Sequence, residues 1–383
     1  MAKADWPSAN RRALIGDRIS RLDGPVKATG RARYASDINR PGLLYGKMIH
    51  ATVASGKILR IDTSAAEQLP GVKAVIITDG EGTAVDTTGR PIGALAAVTE
   101  EIAAEALRKI VIEYELSEHV IDDSNPDLRT GDPDEKQSGD VDGAMQECAA
   151  VSEDTYGCAP ITHCCHESHG QATAPVENGL HVWPSTQNVS GYAGQLAGTA
   201  GMAETDIHVD CQYMGGGFGS KFGCDIWGLM CVQLAQKTGT PVKLMLDRDQ
   251  ELMIAGARPS VYAKVKVGTK SDGAVAAWDS ECWGSGGPGN FGAPTLPYVF
   301  NFPNSRARGW GISTNRNPRR AWRAPNHPQL CLITMSAMED AAAALGMDAL
   351  EFFKKNLQFT ERPDVYLEEL DIAADMIGYK EKA

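Results

Sequence analysis

The apolar positions change period several times along the chain, and each change marks a predicted strand or helix. Residues 43–52 are apolar and strand-like. Asp62, Thr63 or Ser64 can cap a short helix that runs to Leu69, where Pro70-Gly71 ends it. The β-branched run 72–78 predicts the next strand, and 79–93 reads as loop. Thr99 then caps a helix with Glu100 and Glu101 in its first turn, where the helix dipole favours acids. Its stripe of Ile102, Ala103, Ala106, Leu107 and Ile110 has helical spacing, and 111–114 continues as a strand. Apolar periodicity then vanishes in 122–142 (DDSNPDLRTGDPDEKQSGDVD), which predicts a solvated linker and a domain boundary.

Beyond the linker, 180–184 reads as a strand, 189–201 as a glycine-containing helix and 242–246 as another strand. Residues 261–267 and 274–278 flank Ser271-Asp272-Gly273, a turn-forming sequence, and predict a hairpin. A helix over 328–345 closes at Gly346. Asp348 with Glu351 resembles a capping box for 349–356, and 363–377 is the last predicted helix, with Gly378 after it. No repeats appear. The class is α+β, a smaller N-terminal unit followed by a larger one.

One stretch stands apart, 210–230 (DCQYMGGGFGSKFGCDIWGLM). Ile207, Val209, Tyr213 and Met214 lead into it as a strand, and Ile226, Leu229, Met230, Val232, Leu234 and Ala235 leave it as a helix that stops at Gly239. Between them, Gly215, Gly216, Gly217, Phe218, Gly219, Ser220 and Lys221 form a loop that predicts close backbone approach to a ligand at a helix N-terminus. A P-loop does not fit, because Ser220 precedes Lys221 and Phe222 follows it. A dinucleotide fingerprint fails as well, because Ser220 stands where its third glycine belongs.

Composition narrows the partners. The 383 residues suffice for two or three domains. A net charge of −12 argues against nucleic acid or an anionic membrane as partner, since both demand basic patches. No apolar run approaches the roughly 18 residues of a spanning helix, and Arg11-Arg12 has no apolar stretch behind it, so 1–16 reads as a surface arm. Nine cysteines without a C-x-x-C pair predict reduced thiols in a cytoplasmic protein, with any iron–sulfur cluster held by another chain.

GGGFGSK at 215–221 resembles the molybdenum-cofactor subunit of the xanthine dehydrogenase and aldehyde oxidase family, the molybdenum hydroxylases. Arg21 to Tyr34 (RLDGPVKATGRARY) looks like that subunit's opening segment, and His163 to Gly170 (HCCHESHG) like its His-x-Pro-Met-Glu-Pro-His-Gly stretch. Trp183 to Asn188 resembles its Ser-Thr-Gln turn. Thr314 to Pro318 and Ala321 to Gln329 resemble its Thr-Asn…Pro and Phe-Arg-Gly-Phe-Gly-x-Pro-Gln segments. The likeness runs over about 17–380, the front part of such a subunit. It implies an α/β hammerhead domain at 17–121, the linker at 122–142 and the first molybdopterin-binding domain at 143–383.

The same resemblance implies site roles. Gln187 would hydrogen-bond a molybdenum oxygen, and the backbone of Gly216, Gly217, Phe218 and Gly219 would lie beside the metal ligands. Arg323 would orient substrate or stabilise developing negative charge. Phe218, Phe222, His166, Glu167 and Pro325 would shape the substrate pocket, and no residue would ligate the metal directly. Phe222 stands where some purine-using relatives carry Glu, which argues against a xanthine-type substrate. Ala324 and Pro325 depart from the Gly-Phe pair of a purine clamp.

The family's general-base Glu falls in a second molybdenum domain, so a partner chain is expected to supply it. The implied protein is one part of a split large subunit, as in nicotinate dehydrogenases. It would share molybdenum-molybdopterin, in mononucleotide or cytosine dinucleotide form, with that chain and pass electrons to [2Fe-2S] and FAD subunits. The expected reaction is hydroxylation of an electron-poor carbon in an N-heterocycle or aldehyde. Two rivals remain at this point: a non-catalytic member of the fold, and a zinc module built on His163 to His169, whose spacing matches no familiar zinc pattern.

Overall fold

The computed structural model describes residues 7–8, 11–289, 292 and 294–382. Part of the expected surface arm, 1–6 and 9–10, lies outside the described residues; 11–16 are largely exposed.

The principal element is a seven-stranded mixed sheet with strands in the order Ile207–Val209, Gly179–Pro184, Gly170–Val176, Val242–Met245, Leu44–His50, Pro91–Ala97, Val72–Ile77. Sequence on both sides of 122–142 contributes to it. The join is the parallel pairing of Leu44 with Val242 and Gly46 with Leu244. Alternation along the first strand sends Met48 to one face and Ile49 to the other. On the Met48 face lies the helix Asp225–Thr238, whose Trp227, Met230, Cys231 and Leu234 are buried with Ala94, Ala96, Val242 and Leu244. Val232 of that helix is buried with Tyr192 and Leu196 of the helix Val189–Ala200 and with Leu180 and Val182 of the sheet. On the Ile49 face, Ala103 and Ala106 of the helix Glu100–Lys109 meet Ile58, Ile92 and Leu95.

A five-stranded sheet follows, ordered Asp134–Ser138, Ser305–Ile312, Val275–Ser285, Val261–Thr269, Ala150–Cys158. The helix His327–Leu345 lies on it and buries Ile333, Ala337, Met338 and Ala341 against Val261, Val265 and Trp278. Gly346 ends this helix with φ 73°, Gly239 ends the earlier one at 63°, and Gly378 ends Pro363–Ile377 at 63°, the left-handed turn that glycine adopts without penalty. The expected hairpin is present, with Val265 opposite Ser280.

The expected loop 79–93 instead contains strand Ala84–Val85 and the start of strand Pro91–Ala97. Residues 122–142 are largely exposed, with Asp123 and Val141 buried, and they are not structureless: Asp134–Ser138 pairs with Ser305–Ile312, and Asp140 caps the helix Val141–Gln146. That charged edge strand forms on backbone hydrogen bonds without an apolar face, so no periodicity announces it. The strand Ile207–Val209 stops before Tyr213 and Met214. The glycine loop does not abut a helix N-terminus either, because the helix begins only at Asp225, after a turn through Phe222 and Gly223. A short helix, Tyr379–Lys382, also follows the one expected to be last.

Candidate active site

The glycine loop is pinned from several directions. Gly215 N–H donates to Glu167 Oε2 at 2.6 Å, while Glu167 N–H returns a bond to Gly215 O at 3.1 Å. Gln187 N–H donates to Lys221 O at 2.8 Å, and its side-chain Oε1 accepts from Gly219 N–H at 2.8 Å and Lys221 N–H at 3.3 Å. Two donors on one atom identify it as the amide oxygen, so the NH2 end is left for the cavity. Two glycines are required by space. A Cβ on Gly217 would sit 2.5 Å from Gln187 Oε1, and one on Gly219, at φ 109°, would sit 2.5 Å from Ala321 O. Phe218 between them holds φ 55°, a left-handed value for a side-chain-bearing residue. Its carbonyl accepts from Arg323 N–H at 2.6 Å.

Lys221 turns inward. It is fully buried, and its Nζ donates to Ser185 Oγ at 2.6 Å and to Glu167 O at 2.8 Å. Burial lowers its pKa while the charges of Glu167 and Glu251 oppose the shift. Ser185 Oγ in turn donates to Glu167 Oε2 at 2.9 Å. This polar floor braces the loop and leaves no lysine charge facing a ligand.

The segment 321–326 forms the opposite wall. Buried Arg258 holds it from behind, donating to Arg323 O at 2.8 Å and to Ala324 O at 3.2 Å, with its guanidinium 5.1 Å from the centre of the Trp322 ring. Ala324 and Asn326 both have positive φ, 58° and 67°. Arg320 adds a two-pronged pair with Asp225, each bond 2.7 Å, and donates to Ser220 O at 3.0 Å, tying this wall to the glycine loop. The guanidinium of Arg323 itself is exposed and has no carboxylate partner among the described residues.

Between the walls lies a cavity of about 480 Å³ lined by Gln187, Met214, Gly216, Gly217, Phe218, Gly219, Phe222, Ala321, Trp322, Arg323 and Pro325. The structure thus brings together Gln187, the four loop residues, Phe222, Arg323 and Pro325. It does not bring His166 and Glu167 to that lining: His166 is exposed, and Glu167 is buried beneath the loop, bonded to Ala35 N–H at 3.0 Å besides Gly215 and Ser185. Trp322, Met214 and Ala321 were missed as lining, as were Arg258, Ser185 and Lys221 as supports. Trp322 sits beside Arg323 in a matched segment, which was the available signal. Arg258 carried none.

Residues 163–169 diverge. His163 Nε2 donates to Ala321 O at 2.7 Å, His169 Nδ1 meets Glu251 Oε1 at 2.9 Å, and Cys164 is exposed with φ 45°. Among the described residues no three His, Cys, Asp or Glu side chains are placed to hold a metal ion. All nine cysteines are free. No single helix among the described residues is long and apolar enough to cross a membrane.

Chemically, the cavity offers aromatic walls and a row of donors. The N–H groups of Gly216, Gly217 and Phe218 have no acceptor among the described residues, although Gly217 is buried. With the Gln187 NH2 and Arg323 they make a surface for an electronegative ligand.

The chain is similar to known proteins along most of its length. Residues 123–357 match the family model described as a molybdopterin cofactor-binding domain. Residues 29–80 match the a/b hammerhead domain of aldehyde oxidase and xanthine dehydrogenase. The chain is 29% identical over 377 residues to the nicotinate dehydrogenase large molybdopterin subunit of Eubacterium barkeri, covering 88% of each. It is 26% identical over 403 residues to the aldehyde oxidoreductase molybdenum-binding subunit PaoC of Escherichia coli K12, covering 96% of this chain but 55% of PaoC. Against mouse aldehyde oxidase 2 it is 29% identical, and spans 28% of that protein's length. The fold superposes on the aldehyde oxidoreductase of Desulfovibrio desulfuricans with TM-score 0.81 at 20% identity, over 98% of this chain and 48% of the other.

Proposed function

The chain belongs to the aldehyde oxidase and xanthine dehydrogenase family, the molybdenum hydroxylases, and from that premise we propose that it is one molybdopterin-binding part of a multi-subunit molybdenum-dependent oxidoreductase. The observation that carries the reading is the row of unpaired donors along the cavity: Gly216, Gly217 and Phe218 N–H, the Gln187 amide and the Arg323 guanidinium. An oxo-bearing, polyanionic cofactor satisfies such a surface, and glycine at 217 and 219 leaves the space that a Cβ would fill. Gln187 and the loop amides would hold the group, which when bound supplies two-electron oxidation of an electron-poor carbon with oxygen derived from water.

The chain's own residues contribute binding and orientation. Gln187 donates from an amide whose oxygen is fixed by two loop N–H groups, so its donor direction is set before ligand arrives. Phe218, Phe222 and Trp322 offer flat apolar walls that suit an N-heterocycle or aromatic aldehyde, and Arg323 can orient a carbonyl or carboxylate on it. Among the described residues no Asp, Glu or His lines the cavity. Among them the cavity therefore offers no general base, and one is assigned to a second molybdopterin-binding chain, a division supported by the match over 88% of the subunit named for Eubacterium barkeri. Iron–sulfur and flavin subunits would be the partners that accept the electrons, and the cytoplasm would be the compartment. Stopped-flow reduction by substrate tests the reading: Gln187→Ala is expected to slow it with molybdenum content unchanged. Unchanged kinetics would remove Gln187 from the site.

A further inference from the structure

The wall 321–326 borders two spaces, not one. A second cavity of about 300 Å³ is lined by Arg258, Arg319, Arg320 and Asn326 among others, and it shares Ala321, Trp322 and Pro325 with the cavity of about 480 Å³. Residues common to both linings form the boundary between them. Trp322 is the one large side chain in that boundary, since its companions are alanine and proline. Charge distinguishes the smaller space. Arg320 is paired with Asp225, but Arg258 bonds only neutral acceptors, Arg323 O, Ala324 O and Gln329 Oε1, and has no carboxylate partner among the described residues. A positive charge without a counterpart therefore faces this cavity.

The boundary is rigid at Trp322. On one side of it Ala321 O accepts from His163 Nε2 at 2.7 Å. On the other, Arg323 N–H donates to Phe218 O at 2.6 Å and Arg323 O accepts from Arg258 at 2.8 Å. The indole is held as well as the backbone. Its ring lies 5.0 Å from the His163 ring, tilted 31°, and 5.1 Å from the Arg258 guanidinium. Both of those neighbours are buried, so neither yields space for the indole to turn. Phe218 and Phe222, the other aromatic residues of the larger cavity, are instead 46% and 54% exposed. Of the three rings, Trp322 is the one whose place is set before a ligand arrives.

We propose that Trp322 is a specificity-determining residue: its fixed indole closes the larger cavity toward the arginine-lined one and shuts out elongated aromatic acids that would otherwise reach Arg258. On the reading of function above, from which this follows, compact rings are the substrates of the site and rings extended toward the wall are rejected. The rejection comes from absent space, which an unyielding neighbour makes costly. Removing the indole joins the two spaces, because Ala321 and Pro325 are too small to keep them apart. A ligand with an anionic end then gains twice, in room and in charge.

The experiment uses the complex made by co-expressing the full chain with its second molybdopterin-binding, iron–sulfur and flavin subunits. Calorimetric binding of benzoate, para-phenylbenzoate and the neutral para-phenylbenzamide is measured for wild type, Trp322→Ala, Trp322→Leu and Trp322→Phe. Wild type should bind benzoate about tenfold or more tightly than para-phenylbenzoate. Trp322→Ala should remove that preference, with para-phenylbenzoate gaining about tenfold and the amide gaining less. Trp322→Leu should act in the same direction, and it decides the matter if the alanine variant does not assemble. Trp322→Phe keeps a flat wall and should stay near wild type. Single-turnover reduction by benzaldehyde and para-phenylbenzaldehyde should shift in the same order. An unchanged preference in the alanine and leucine variants would overturn the proposal. So would an equal loss of all three probes, which a merely structural tryptophan would give, or failure of wild type and variants alike to bind either acid. An equal gain for the amide would overturn the part given to Arg258. Absence of molybdenum from the wild-type complex would refute the functional reading instead, and the binding comparison would still decide the role of Trp322.

Discussion

Gly217→Ala isolates the contact on which the cavity's geometry rests. Gly217 is not among the residues with positive φ, so alanine can take its backbone conformation. The added Cβ would sit 2.5 Å from Gln187 Oε1 and 2.7 Å from both Cδ and Cγ. Ordinary contact needs nearly 1 Å more, so the Gln187 side chain has to swing away. It then gives up its bonds from Gly219 N–H and Lys221 N–H, together about 1–2 kcal/mol of stability. Thermal unfolding should move by only a few degrees for such a loss. Catalysis should suffer more, because displacing an orienting group by about 1 Å costs on the order of a hundredfold in rate. The assay is substrate reduction of the assembled complex under single-turnover conditions, normalised to molybdenum. The decisive comparison is with Gln187→Ala. Once the Gln side chain is gone the clash is gone, so adding Gly217→Ala should cost little more. Full additivity of the two losses would refute the reasoning and place the damage in the loop backbone.

Arg323→Lys keeps the charge but loses the planar fork, so turnover should fall well beyond any change in melting temperature; equal activity would make Arg323 a solvent-facing bystander. Lys221→Met should destabilise by about 2 kcal/mol, measured by denaturant titration, because Ser185 and the Glu167 carbonyl lose a charged donor in a buried place. His50, His163 and His181 all have pKa values lowered chiefly by burial. The unfolded chain takes up those protons near pH 6.5 while the folded chain resists them, so their stability is fully present above about pH 6.5 and is lost as pH falls below it through the folded values. Denaturation midpoints should therefore drop between about pH 7.5 and about pH 5.5, and His163→Gln should flatten the drop; a flat profile in the wild type would contradict this.

What the sequence made legible depended on how each residue acts. Helices with apolar stripes and glycine stops, such as Asp225–Thr238 and His327–Leu345, were readable because period and terminator agree. Strand Pro91–Ala97 was not, since Gly93 and three alanines are poor strand formers and are used here because neighbours approach closely: a Cβ on Gly93 would meet Ile76 O at 2.0 Å. The cavity's wording was readable in Gln187, the glycine loop and Arg323. Its supports were not, because Lys221, Ser185, Glu167 and Arg258 work through bonds between distant segments. Glu167 shows the difference. Among three histidines and two cysteines it suggested a pocket wall or a metal site, yet its carboxylate takes hydrogen bonds from Ala35, Ser185 and Gly215.

On the proposed function, this chain forms part of a molybdopterin site completed by another chain. Its most direct measurement is molybdenum content, with substrate-dependent dye reduction, of the chain purified alone and after co-expression with a subunit bearing the second molybdenum domain. Little metal and no activity are expected from the chain alone, with both appearing in the complex. Activity from the lone chain would reveal a base within it and contradict the account, and absence of molybdenum from the complex would contradict it more deeply.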